Sequence, residues 1–114
     1  MTTEIYEIRD YTIDPEWFDR YATWARTLAA PWLKKNLDVI DFWLDEGQPP
    51  ETSGSNPVVS SNGQANVTWI IRWASQETRE KDFPETMSSK EWKEIWSKHS
   101  NENAYLHTNV RFMK

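Results

Sequence analysis

His99 and His107 are the only two imidazoles in this chain of 114 residues, and it contains no cysteine. Thiolate chemistry and disulfides are therefore excluded, and the absence of cysteine fits a reducing cytosol. His107 lies in the alternating stretch Leu106-His-Thr-Asn-Val-Arg-Phe112. There it can serve as a general base, with Arg9 or Arg111 holding an anion. Tyr11 beside Arg9 offers a second proton-transfer group. The plainer reading of His107 is a polar residue paired with Glu7 or Asp41. His99 follows Trp92 and Trp96 on one helical face, near a helix C-terminus whose dipole suits an imidazolium. The set His99, Glu102 and His107 spans a helix end and a strand and matches no metal-ligand spacing, so no metal is expected.

The chain also holds eight tryptophans. Each can bury on the order of 200 Å², which is more than one small core needs. Trp24, Trp69, Trp73, Trp92 and Trp96, joined by His99, are candidates to line a flat aromatic cavity between sheet and helices; the competing reading is a filled core. Asp38, Asp41, Asp45 and Glu46 form an acidic run of the kind that keeps a strand edge from aggregating.

These residues need elements to position them. Residues 5–13 are rich in β-branched and aromatic types and read as a central strand. Asp14 and Pro15 then open a helix over residues 15–36, with Asp14 as cap and Pro15 at the first turn. Phe18, Ala22, Ala25, Ala29 and Trp32 make one apolar stripe, and Trp17, Tyr21, Trp24 and Leu28 a second beside it. Pro31 should kink or interrupt the last turns. Residues 39–45 read as a strand. Residues 46–65, with three prolines and all three glycines, read as a long loop, either mobile or a lid. Residues 66–74 alternate most clearly of all, with Val67, Trp69, Ile71 and Trp73 on one face. Ser75 caps a helix to about residue 83, where Pro84 should break it. Ser88-Ser-Lys-Glu91 is a capping box that restarts it. Residues 104–113 form a last strand.

Strand, helix, strand, strand, helix, strand is the order of a ferredoxin-like α+β fold: a four-stranded antiparallel sheet with helices on one face, in a single domain. Alternation assigns Tyr6, Ile8, Ile40, Phe42, Trp69, Ile71, Trp73, Leu106, Val110 and Phe112 to the helix-covered face. Glu7, Arg9, Tyr11, Asp41, Trp43, Thr68, Ile70, Arg72, His107, Asn109 and Arg111 fall on the other. That second face is too apolar to be simply solvated and too charged to be a core, so a subunit interface with internal ion pairs is expected.

Three stretches resemble the NIPSNAP-type domain, in order along most of the chain: Tyr6-Glu-Ile-Arg-Asp-Tyr-Thr-Ile13 followed by Pro15, Phe42-Trp43, and Asn66-Val-Thr-Trp-Ile-Ile-Arg-Trp73 followed by Ser75. Ser89-Lys-Glu-Trp92 resembles that domain's acidic-Trp helix start, while the loop at 47–65 is longer than the pattern. The resemblance implies a homodimeric α/β barrel in which two sheets close together. It implies little about chemistry, since the wider superfamily includes cofactor-free monooxygenases, haem-binding enzymes and small-molecule isomerases or lyases. Haem-degrading members bind iron through a helix histidine, which would make His99 an axial ligand; no second haem signal accompanies it.

The net charge of −5, with basic residues scattered, excludes a nucleic-acid surface. No apolar run reaches membrane-spanning length, and Met1-Thr-Thr-Glu4 lacks the form of a secretion signal, so a cytoplasmic location is expected. The sequon Asn66-Val-Thr68 is discounted accordingly. The reading is a NIPSNAP-like protein that binds a small apolar or aromatic molecule and requires no cofactor. The alternatives are a cofactor-free monooxygenase or related enzyme using His107 or Tyr11 with Arg9, and a structural or interaction domain with a fully packed barrel.

Overall fold

The computed structural model describes residues 3–114. Four strands, β1 (Ile5–Ile13), β2 (Val39–Leu44), β3 (Val67–Trp73) and β4 (Tyr105–Met113), form one sheet in the order β2-β3-β1-β4. Every neighbouring pair is antiparallel, and the two central strands are those with the strongest β-forming sequence. The helices α1 (Phe18–Trp24), α2 (Ala30–Asn36), α3 (Gln76–Met87) and α4 (Lys90–Ser97) pack on one side of it. This is the ferredoxin-like α+β arrangement that the element order implies.

β3 is the best-behaved strand. Val67, Trp69, Ile71 and Trp73 all point at the helices, and none is more than 5% exposed. β1 departs from expectation. Its register with β3 sets Ile5 opposite Trp73, Glu7 opposite Ile71, Arg9 opposite Trp69 and Tyr11 opposite Val67. Directly opposed residues share a face, so Glu7, Arg9 and Tyr11 lie under the helices, and Tyr6 and Ile8 lie on the open face. The expected assignment of this strand is thus inverted. The physical reason is that the inward charges neutralise one another and a cation from α3. β4 keeps the expected parity at its far end, where Val110 pairs with Arg9 and Phe112 with Glu7. The register of β2 slips between Val39 and Asp41, which leaves Ile40 exposed while Phe42 stays inward beside Trp69.

The first helix does not stop at Pro31. A π-helical turn, Ala25–Ala29, joins α1 to α2, and the Ala30 N–H donates to Ala25 O five residues back. Pro31 then falls in the first turn of α2, where its missing donor costs little. The second helical region also departs from expectation. α3 runs through Pro84, and the break falls at Ser88–Ser89. Ser75 caps α3 by accepting from the Thr78 N–H at 3.1 Å, and Ser89, rather than Ser88, caps α4 through Trp92 N–H at 3.2 Å.

Residues 45–66 contain no helix or strand. Their glycines adopt left-handed backbone angles, with φ of 94° at Gly47 and 83° at Gly63. The two ends meet through Asp45 N–H to Asn66 O at 2.9 Å. Asn66 is committed to β1: its amide donates to Ile13 O at 2.9 Å and accepts from Ile13 N–H at 2.8 Å. The nitrogen of the sequon is thus a structural donor.

Candidate functional site

Between the sheet and the helices lies a cavity of about 500 Å³, within the range of small-molecule sites. Its walls are mostly aromatic: Trp24 from α1, Phe42 and Trp69 from the sheet, Phe83 from α3, Trp92 and Trp96 from α4. The amphipathic spacing of each helix brings these rings together. Trp92 and Trp96 are one turn apart, and both meet Trp24, at ring separations of 6.2 and 5.7 Å. The Trp24 indole is fixed by a 2.9 Å bond to Ile95 O.

A polar chain runs from the cavity lining, at Tyr11 and Arg9, to Glu7 and Arg79 behind it. Glu7 is fully buried. Arg79 of α3 reaches it with two bonds, of 2.9 and 3.2 Å; Arg9 adds one at 2.6 Å and the Trp73 indole one at 3.0 Å. Burial alone would push the Glu7 carboxyl up, but bonds from Arg79 and Arg9 and their charges outweigh it, so it titrates below the usual range. Burial works against the Arg9 cation, yet Tyr11 and Glu7 hold its pKa above the ordinary value. Arg9 Nε donates to the Tyr11 hydroxyl at 2.7 Å, and Trp69 Nε1 donates to the same oxygen at 3.0 Å. Arg79 and Arg9 also lie over the Phe83 ring, at 4.7 and 5.1 Å.

A second polar group sits at the other end. His99 Nδ1 accepts from Asn101 N–H at 3.1 Å. A neutral ring must then carry its proton on Nε2, which meets the Tyr105 hydroxyl at 3.1 Å. The imidazole is sandwiched among Trp24, Trp96 and Tyr21. Burial holds its pKa below the ordinary 6.5, with Glu102 opposing the shift. Burial, followed by the neighbouring tyrosines, pushes the Tyr21 hydroxyl far up. Tyr105 is raised as well, again mainly by burial.

Of the residues singled out in the sequence, Arg9, Tyr11, Trp24, Trp69, Trp92 and Trp96 gather at this cavity. Trp73 stands behind it, holding Glu7 and meeting Phe83 edge-on. His99 supports the aromatic wall, but both of its nitrogens are engaged, so it does not fit the role of a haem axial ligand. His107 pairs with Thr12, whereas its neighbour Thr108 pairs with Tyr11. His107 therefore projects from the opposite face of the sheet, away from Arg9 and Tyr11. Among the described residues no three His, Cys, Asp or Glu side chains gather as a metal site, and no helix is long and apolar enough to cross a membrane. Sequence reasoning missed Arg79, Tyr105, Tyr21 and Lys93. Arg79 and Phe83, four residues apart, carried a signal, since that spacing sets a cation and a ring on one helical face.

No family model matches the chain, and no curated protein matches it. Solved structures do. A NIPSNAP family protein from Agrobacterium tumefaciens superposes with a TM-score of 0.72 at 15% identity, over 99% of this chain and 86% of that one. A NIPSNAP-like domain protein from Burkholderia xenovorans gives 0.70 at 13% identity, over 100% and 86%. A proposed antibiotic biosynthesis monooxygenase from Bordetella bronchiseptica gives 0.58 at 13% identity, over 99% and 97%. With its strand order, its inward aromatic wall and these superpositions, the chain has the ferredoxin-like fold of the NIPSNAP-type domains.

Proposed function

We propose that this chain is a NIPSNAP-like protein that binds a small, largely aromatic molecule between its sheet and helices, and that it acts as a homodimer paired through the open sheet face. The observation that carries the reading is the 500 Å³ cavity. Its apolar walls and few polar groups are the usual composition of a ligand site, and a fully packed barrel would leave no such space. Support for pairing comes from the open face, where Trp43 is 46% exposed beside Thr68, Ile70 and Asp41.

The test is a thermal-shift screen with flavins and polycyclic aromatics. A ligand of the cavity raises the melting temperature as its concentration passes its Kd. Thr108 lines the cavity from an exposed position on β4, so Thr108→Trp fills the space without disturbing the core. It should abolish the shift and leave the unliganded melting temperature in place. An equal shift in wild type and variant would move the ligand elsewhere.

The second reading is a cofactor-free oxygenase or related enzyme at the same cavity, with Tyr11 and Arg9 as the acting pair. The monooxygenase-type neighbours and the Arg9-to-Tyr11 bond favour it. His107 has no part in this version.

A further inference from the structure

The hydrogen-bond directions inside the cavity select the kind of ligand, given that the cavity is a binding site as proposed above. The Tyr11 oxygen accepts from both Arg9 and Trp69. A phenol has one proton to donate, and that of Tyr11 has no acceptor among the described residues. The Tyr105 oxygen faces the proton on His99 Nε2, and its hydroxyl shares a bond with the Tyr21 hydroxyl in which either oxygen can accept. The two phenol rings meet edge to face with centroids 5.4 Å apart. Arg9 Nη2 likewise has no protein partner among the described residues, its bonds running from Nε and Nη1. The charged residues lining the cavity are Arg9 and Lys93, both cations. The carboxylate behind them, Glu7, is already neutralised by two guanidinium groups. The charge on the lining is therefore positive, with no carboxylate among the lining residues, and the remaining polar groups are hydroxyls, of which Thr108 can accept as well as donate.

We propose that the cavity takes an aromatic molecule carrying an anionic oxygen, a carboxylate or phenolate, with that oxygen bonded by Tyr11 beside Arg9 and the ring system lying among the tryptophans. Charge-assisted bonds to such an oxygen are stronger than neutral ones, and the water-poor aromatic wall strengthens them further. A cationic or purely hydrocarbon ligand of the same shape gains none of this.

The experiment is calorimetric titration of the intact protein with a matched set: 2-naphthoate, 2-naphtholate at high pH, naphthalene, and 2-naphthylmethylammonium. The anions should bind at least about tenfold more tightly than naphthalene, and the ammonium most weakly. In Tyr11→Phe that preference should shrink severalfold while naphthalene binding persists; Lys93→Ala, at an exposed site, gives a second reading if Tyr11→Phe fails to fold. Naphthoate against naphtholate separates the two sources of the oxygen. Naphthalene or the ammonium binding as tightly as naphthoate overturns this inference and leaves the binding-site reading standing. Failure of every probe to bind overturns both.

Discussion

The two faces of the sheet use the same chemistry under opposite conditions. Beneath the helices, Glu7 is bonded by Arg9, Arg79 and Trp73, with no part of its side chain exposed. Outside the covered core, Arg72 meets Asp38 at 2.8 Å on the open side and Lys34 of α2 meets Asp41 of the edge strand β2 at 3.0 Å, all roughly half exposed. Water can replace any partner in the outer pairs. It cannot do so within the inner group, where removing one member strands a charge in an apolar setting. Number and geometry of ion pairs therefore say little about stability until burial is known, and a charged residue in a strand does not by itself mark the solvent side.

The sharpest way to break this contrast is Arg79→Met. It should cost about 3–5 kcal/mol, because Glu7 is left with one cation, as read by urea denaturation. A loss no larger than that of an outer pair would erase the distinction. Second in size is dimer formation. Ile70→Asp on the open face should convert a homodimer to protomers in sedimentation velocity, while circular dichroism stays unchanged. A protomer already present in wild type at micromolar concentration would sink the pairing proposal.

A pH effect comes third. His99 has a folded pKa below 6.5, so the unfolded chain binds its proton more readily. Its contribution to stability is complete above pH 6.5 and is lost as pH falls below that value toward the folded pKa. Melting temperatures measured from pH 7.5 downward should decline in this window for wild type, and His99→Phe should flatten that part of the curve. The smallest effect belongs to Arg72→Met, whose melting temperature should match wild type within error at moderate salt. If Arg72 proves costly only in the dimer, the open face is covered there and the contrast is sharpened.

Much of the architecture was legible because it rests on local rules. β3 alternates cleanly since both its neighbours are strands and one face is dry. Ser75 is readable as a cap because its partner, Thr78, is three residues away. β1 was not legible in its parity. The cation that lets Glu7 face inward is Arg79, 72 residues along the chain, and no periodicity within the strand records it. The same inversion took Arg9 and Tyr11 from the supposed subunit interface to the cavity, and separated them from His107. The aromatic wall was partly legible: four of the five tryptophans singled out line the cavity. Trp73 was drawn off by the Glu7 carboxylate. Pro31 and Pro84 misled for another reason, since a π turn or a single forgone bond lets a helix continue when its apolar face is well packed.

The closed neck at Asp45 and Asn66 has a consequence for engineering. Both strand ends are pinned by a bond that does not involve the intervening residues, so the register of β2 against β3 does not depend on the length of what is strung between them. Lengthening such a tether costs only about 0.6 kcal/mol per doubling. A peptide tag or even a small guest domain can be spliced near Gly54, and the pairing of the four strands should not register its presence.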